Sequence, residues 1–392
     1  MQRRPLGVLT TSYPHRDGDG AGSFVREFCV ACVAVGLPVE VLCPQAESEQ
    51  QLTDPGVRVT RLAYWRPRRA QFLSQAPGAP DALADRPWRW APAAAFSARL
   101  LGAVAARRHA YRALVSHWLV PCGVAGAAAG APHLAIAHGS DVRQLRRLPG
   151  GGRLARWLVS RGTLFAFVSE ALRDQFGELL APPERELLLR RALVQPMGVD
   201  VASLGGCDRT AVRRRLGLRG PVALWLGRMV PVKRPERMLA LARALPELTL
   251  LLAGAGPLEG ALRRDAAPLG DRVRFFGWVD SRLRAELLAA ADVFVIPSTV
   301  LDDGRSEGQP VAAREALAAG LPVVATPVGG LAELPALGPA VHLAADERLS
   351  SLERALRAAL THGRLPAADC SRLAASLDWS AVLPRLLSSL AL

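Results

Sequence analysis

Lysine is almost absent from this sequence. Of 49 basic residues, 48 are arginine and one, Lys233, is lysine. An ammonium is a compact point charge that suits a phosphate, whereas a guanidinium is a planar fork. A chain that writes arginine nearly everywhere and keeps one ammonium directs attention to where that ammonium stands. Cysteine is sparse too, with six residues at 29, 32, 43, 122, 207 and 370. Cys29 and Cys32 form a CxxC, but no second pair follows, and the flanking EFCVACVAVG has the apolar spacing of a helix face. That favours buried structural thiols over a zinc or redox centre, and the pattern suits a reducing compartment. Long apolar runs are also missing. Residues 6–9 are too short for the apolar core of a secretory signal. Residues 118–137 lack Asp, Glu, Lys and Arg, but Pro121, Gly123, Gly126, Gly130, Pro132 and His133 interrupt them. They read as helix, turn and buried strand, not as a membrane span. The chain is expected to be cytoplasmic, either soluble or peripheral on the inner face of the membrane.

What is abundant is positive charge. The net charge is +14 over 392 residues. Residues 1–196 hold 25 arginines against 15 acids and residues 197–392 hold 24 basic residues against 20, so the excess is +10 in the first half and +4 in the second. Such a surface attracts phosphate in nucleotides, nucleic acid or lipid headgroups; a coding bias toward arginine gives the same excess. Nucleic acid is not an expected partner, because the charge is scattered along the chain. An anionic membrane surface is a candidate partner: Arg66, Arg68, Arg69, Arg86, Arg89, Arg107, Arg108, Arg146 and Arg147 accompany Trp65, Trp88 and Trp90.

The length calls for two domains, and half of the residues are apolar, a globular composition. One unit recurs along the chain: short apolar strand, turn marked by Gly or Pro, amphipathic helix. Strands are predicted at 6–10, 38–43, 57–62, 114–117, 134–137 and 164–168, then at 222–225, 248–252, 273–275, 293–296 and 323–325. Helices are predicted at 21–35 and 93–109, then near 234–244, 257–265, 281–290, 310–319 and 347–361. Residues 64–92 read as irregular. This alternation implies an α/β fold with parallel sheets covered on both faces. The expected division is 1–197 and 198–377, two Rossmann-like domains facing a cleft, with a last helix within 378–392 crossing back onto the first. In open parallel sheets ligands bind beyond the carboxyl ends of the strands, which points to loops at 11–22, 138–141, 227–233, 254–257, 297–310 and 326–330.

Those loops carry the polar residues with chemical promise. Two residues separate Arg228 from a predicted buried strand and Lys233 enters the next predicted helix, so two cations flank one strand-end loop as a diphosphate clamp would; a solvated basic loop is the plainer alternative. In Ser306-Glu-Gly-Gln-Pro-Val-Ala-Ala-Arg-Glu315, Glu307 ends a loop, Gly308 lets backbone approach a ligand, and Pro310 suits the first helical position. Free N–H groups there suit a phosphate or a sugar hydroxyl. Glu307 and Glu315 lie eight residues apart, too far for a close acid/base pair, and fit two separate hydroxyl-binding tasks; solvated or salt-bridged carboxylates are the alternative. His138, in Ala137-His-Gly-Ser-Asp141, follows a predicted strand and is expected to face the cleft, as a ligand contact or as a structural histidine. The loop from Asp17 to Gly22 precedes a helix, but its glycines lack the GxGxxG spacing.

Taken in order, TSYPHRDGDGAGSFVREF, SHWLVPCGVAG, AHGSDV, FVSEALRDQF, VQPMGVD, LGRMVPVKRPERML, LLAGAGPLEGALR, FFGWVD and ADVFVIPS…SEGQPVAAREALAAGLPVVATPVGG resemble the GT-B fold, family 4 retaining glycosyltransferases, the last block carrying that family's Glu-x7-Glu motif. The resemblance implies that Arg228 and Lys233, beside Gly227, neutralise the diphosphate of a nucleotide-sugar donor. Glu315 would hold the ribose hydroxyls, Glu307 with Gly308, Gln309 and Pro310 the sugar. His138 would touch that sugar, Gly22 would lie near the phosphates, and Gly277, Trp278 and Val279 would lie against the base. His138, Arg228, Lys233 and Glu307 would then be the catalytic set. The family retains anomeric configuration and needs neither metal nor cofactor beyond the donor, so Asp302 and Asp303 are not offered as ligands. The donor is expected to be a UDP- or GDP-sugar and the acceptor a lipid-linked, polysaccharide or small molecule.

Three positions depart from the usual pattern: Met197 where Asn is common, Arg234 where Gly is frequent after the lysine, and Gln309 where an apolar residue is usual. The alternatives are another GT-B nucleotide-sugar enzyme such as an epimerase, opposed by the HGSD and Glu-x7-Glu blocks; a glycosyltransferase-like subunit without catalysis, opposed by the presence of all four key side chains; and a non-enzymatic basic binding protein.

Overall fold

The computed structural model describes residues 4–15, 19–45, 52, 54–73 and 87–390. The chain divides into two compact units, Met1–Met197 with Val382–Leu392, and Gly198–Ala381. In the first, seven parallel strands form one sheet: β1 (Leu6–Leu9), β2 (Val39–Pro44), β3 (Val57–Leu62), β4 (Ala113–His117), β5 (His133–Ala137), β6 (Leu164–Phe167) and β7 (Leu193–Val194), in the order β3-β2-β1-β4-β5-β6-β7. In the second, six parallel strands follow the same plan: β8 (Val222–Leu226), β9 (Thr249–Ala253), β10 (Val273–Gly277), β11 (Val293–Ile296), β12 (Val323–Ala325) and β13 (Val341–Leu343), in the order β10-β9-β8-β11-β12-β13. In each sheet the order reverses once, between β1 and β4 and between β8 and β11. At such a switch point adjacent loops leave in opposite directions and open a crevice at the carboxyl ends.

These segments become central strands because they are apolar on both sides. Along β8, Val222 and Leu224 join one core cluster while Ala223 and Trp225 join the other. Leu251 and Ala253 alternate in the same way with Leu250 and Leu252, as do Phe294 and Ile296 with Val293 and Val295. A two-residue period feeding two cores is what a sheet covered on both faces requires. Helices at Glu236–Ala244, Glu259–Ala266, Ser281–Ala290, Val311–Ala318 and Leu349–His362 match the predicted helical segments of this half. Cys29 and Cys32 are buried as free thiols on the helix Ser23–Ala34.

Four details differ from the sequence reading. The edge strands β7 and β13 were not predicted; at two and three half-buried residues they are too short to show a period. Lys233 does not enter the next helix: it closes a 3₁₀ turn at Pro231–Lys233, and the helix starts at Glu236 after Arg234 and Pro235. Pro310 is the N-cap, not the first helical residue; its ψ of 122° is extended and Val311 begins the helix. Residues 64–92 hold short 3₁₀ turns at Arg68–Ala70 and Pro87–Arg89 and the start of the helix Trp90–Arg107; Arg86 lies outside the described residues. Among those residues no helix is long and apolar enough to cross a membrane.

Candidate functional site

In the second unit the loops after β8, β9 and β10 are laced together by backbone. Gly227 N–H donates to Ala253 O at 2.9 Å, Gly254 N–H to Gly277 O at 2.6 Å, and Met229 N–H to Ala255 O at 2.9 Å. Gly254 makes this possible: its φ is +130°, and a Cβ there would lie 1.8 Å from the Gly227 carbonyl oxygen. Only glycine permits that approach. Gly227 and Gly277 are thereby brought to one edge, with Trp278 exposed and Val279 packed on the core.

The loop after β8 is tied to the loop after β11, across the switch point. Thr299 N–H donates to Val232 O at 2.9 Å. Beside it Lys233 Nζ donates to Glu307 Oε1 at 2.7 Å, and Ser298 Oγ reaches the same oxygen at 3.2 Å. The two ion-paired side chains are only 18% and 10% exposed. The Glu307 backbone is fixed as well, its carbonyl accepting from Gly330 N–H at 3.0 Å, and Thr326 Oγ1 donates to Ser298 O at 2.6 Å. Two residues singled out separately in the sequence, 74 positions apart, thus form one unit. Arg228 leaves the same strand end, and Val230 N–H donates to its carbonyl at 2.9 Å.

Glu315 has a different cation. Buried on the helix Val311–Ala318, it pairs with Arg284 of the helix Ser281–Ala290 at 2.7 Å. Burial raises its pKa above the ordinary carboxyl value; Arg284 opposes that shift and Asp200 adds to it. The two glutamates therefore sit in separate ion pairs. Gly308, Gln309 and Pro310 lie between them, and Pro310 caps the helix.

In the first unit the helix Ser23–Ala34 begins at Gly22, whose φ is +78° and whose Cβ would lie 2.4 Å from the Ser12 carbonyl oxygen. Asp17 and Gly18 lie outside the described residues. His138, after β5, meets His117 at the end of β4: Nε2 of His138 and Nδ1 of His117 are 3.1 Å apart and the rings are stacked. Phe24 and Trp118 flank His138, with ring centroids 4.9 Å and 5.1 Å away. Burial lowers both histidine pKa values, and in His117 the charge of His138 adds to the effect, so both imidazoles are neutral at pH 7. Buried Asp141 holds the His138 loop, its carboxylate accepting from the N–H groups of Leu119, His138, Gly139 and Val142 at 3.0, 3.2, 2.9 and 3.0 Å. His117, Asp141 and Ser298 were not singled out in the sequence. The usable signal is position: His117 and Ser298 close or follow buried strands, and Asp141 lies in the first turn of the helix Ser140–Arg147, where backbone N–H groups are free.

Two family models match the chain. "Glycosyl transferase 4-like domain" covers residues 19–192 and "Glycosyl transferases group 1" covers residues 220–362. A D-inositol 3-phosphate glycosyltransferase of Geodermatophilus obscurus is 36% identical over 217 residues, 51% of this chain and 47% of that one. A GDP-mannose-dependent monoacylated alpha-(1-6)-phosphatidylinositol monomannoside mannosyltransferase of Corynebacterium glutamicum is 30% identical over 59% of this chain and 62% of its own length. The chain thus spans about half to three-fifths of these curated relatives. Among solved structures, sucrose-phosphate synthase of Thermosynechococcus elongatus aligns with a TM-score of 0.71 at 20% identity over 98% of both chains. Anabaena HepE in complex with UDP and glucose aligns with a TM-score of 0.70 at 18% identity over 99% of both. With both halves matched by glycosyltransferase family models and the whole chain following these folds, the protein belongs to the GT-B, family 4-type glycosyltransferases.

Proposed function

We propose that the chain is a retaining glycosyltransferase that moves a sugar from a UDP- or GDP-linked donor to a lipid-linked, polysaccharide or small-molecule acceptor without a metal or cofactor. The observation that carries this reading is the Lys233–Glu307 pair at the switch point of the second sheet. It stands at the carboxyl ends of β8 and β11, with Arg228 on the same strand-end loop. In the reaction the bond between the sugar's anomeric carbon and the β-phosphate oxygen breaks on the face where the acceptor oxygen attacks. The acceptor's proton passes to the departing phosphate. Arg228 and Lys233 stabilise the charge that develops on that phosphate, the main catalytic term in a site with no protein nucleophile. Glu307 and the backbone of Gly308–Pro310 hold the sugar, and Glu315 holds the ribose. HepE was solved with UDP and glucose, and the Corynebacterium relative is named for GDP-mannose, which supports a nucleotide donor and leaves both bases in the proposal.

Exposed Trp65, Trp88 and Trp90 support a peripheral, cytoplasmic-face association with anionic lipid. They lie among Arg66, Arg68, Arg69 and Arg89, whose guanidinium sits 5.1 Å above the Phe72 ring. Failure to co-sediment with anionic liposomes at low salt would remove that part. For the activity, Lys233→Ala and Glu307→Ala should each lower turnover by about 10²–10³, the usual loss for one transition-state charge contact, while circular dichroism stays native. Near-normal turnover in both variants refutes the assignment.

A further inference from the structure

Around the start of the helix Val311–Ala318 three cations meet two carboxylates. Lys233 is paired with Glu307 and Arg284 with Glu315. Arg314, on the same helix, has no carboxylate among the described residues. Its side chain is among the most buried charges of the protein, at 4% exposure. Its Nε has no hydrogen-bond partner, and its polar contact is Nη1 to Oε1 of Gln309 at 3.5 Å. Burial lowers its pKa to about 10, which still leaves the guanidinium charged at pH 7. A buried cation with neither counter-ion nor full hydrogen bonding is costly, and such a group calls for a function.

The direction of the side chain indicates what that function is. Helical side chains lean toward the N-terminus of their helix, and the contact with Gln309, one residue before the Pro310 cap, places the guanidinium at that end. The first turn of a helix also leaves backbone N–H groups without an intrahelical partner, although here that of Ala313 donates to Pro310 O at 3.1 Å. Because Gln309 turns its oxygen toward Arg314, its amide N–H groups face away as donors. The segment between Glu307 and Val311 therefore offers donors and one uncompensated positive charge. Gln309, moreover, stands where the family pattern usually has an apolar residue.

We propose that Arg314, with Gln309, recognises a carboxylate on the donor sugar, so that the donor is a nucleoside-diphosphate uronic acid. This rests on the donor-site reading above, in which the diphosphate already has Arg228 and Lys233 while the segment carrying Gln309 holds the sugar. A guanidinium pairs with a carboxylate through two parallel hydrogen bonds, a geometry that a hydroxymethyl group cannot supply.

The test uses the full-length protein and matched probes that differ only at C6: UDP-glucose against UDP-glucuronate, and GDP-mannose against GDP-mannuronate, with UDP and GDP alone. Dissociation constants are measured calorimetrically for the native chain, Arg314→Met, Arg314→Lys and Gln309→Leu. The native protein should bind one uronate at least about tenfold more tightly than its neutral partner. Arg314→Met should weaken that uronate by about thirtyfold or more, as loss of one partner of a buried charge pair does, and leave the neutral sugar within about threefold, the scale of a non-contacting change. Arg314→Lys should recover part of the loss. Removing an unpaired buried charge should also raise the melting temperature of Arg314→Met, which separates lost recognition from lost folding. Equal or weaker uronate binding by the native chain overturns the proposal. So does a loss in Arg314→Met shared by UDP or GDP and both sugars, since the anion would then be phosphate. If no nucleotide or nucleotide sugar binds the native chain at all, the donor-site reading itself fails, an outcome distinct from both.

Discussion

The Lys233–Glu307 pair should be nearly worthless for stability and indispensable for turnover, and a double-mutant cycle separates the two. At 2.7 Å and an effective dielectric of about 20, the Coulomb attraction is roughly 6 kcal/mol. Desolvating two ions costs several kcal/mol each, so the pair comes out near zero against an uncharged pair of similar shape. Removing one partner is different. Lys233→Met leaves the Glu307 carboxylate, 10% exposed, with the Ser298 hydroxyl at 3.2 Å. Fully buried pairs lose 3–5 kcal/mol this way, and the partial exposure reduces the expectation to about 2 kcal/mol. Glu307→Gln keeps an oxygen for Ser298 and leaves an ammonium that is 18% exposed, so about 1 kcal/mol is expected. The double variant should lose no more than about 1 kcal/mol, giving a coupling of about 2 kcal/mol. Urea unfolding followed by tryptophan fluorescence measures all four proteins. Turnover should fall by about 10² or more in each single variant and no further in the double, as groups acting together do. Stability losses that add within about 0.5 kcal/mol would show that the two side chains do not meet in solution. Recovery of activity in the double variant would show that the pair serves the fold alone.

Two further predictions concern neighbours of that pair. Arg234 has φ 46° and ψ 46°, a left-handed conformation that costs an L-residue about 1–2 kcal/mol, and its ion pair with Glu236 has both side chains 42% exposed. Arg234→Gly should therefore be more stable than Arg234→Ala by about 1 kcal/mol in chemical denaturation, and equal stabilities would show that the turn relaxes. For Glu315 the folded pKa lies above the unfolded one. The folded state then binds the extra proton, and this group lowers stability as pH rises from the ordinary carboxyl value through its folded pKa. Across that window the stability of Glu315→Gln should fall less with rising pH than that of the native chain. Parallel curves would mean that Arg284 cancels the burial shift.

The core strands were legible because a sheet covered on both faces needs uninterrupted apolar runs, and VALWL, TLLLA and VFVI supply them. The loops were legible because ligands gather where such strands end, so Arg228, Lys233 and Glu307 could be named before any coordinate. Partnership was not legible. Nothing local in residues 227–233 shows that the one ammonium of the chain will be neutralised by a carboxylate 74 residues on, since that contact exists only once β8 and β11 lie side by side. The same holds for Glu315, whose position on the helix was readable and whose cation on another helix was not. Departures from the family pattern proved the most informative sequence signals. The unexpected Arg234 sits where the backbone is left-handed, a conformation glycine adopts freely, and the unexpected Gln309 sits 3.5 Å from the buried Arg314. A residue that breaks a local rule either bears its cost at that place, as Arg234 does, or has acquired a partner there, as Gln309 has. Only the fold distinguishes the two cases, because the distinction is whether something charged and buried waits next to the break.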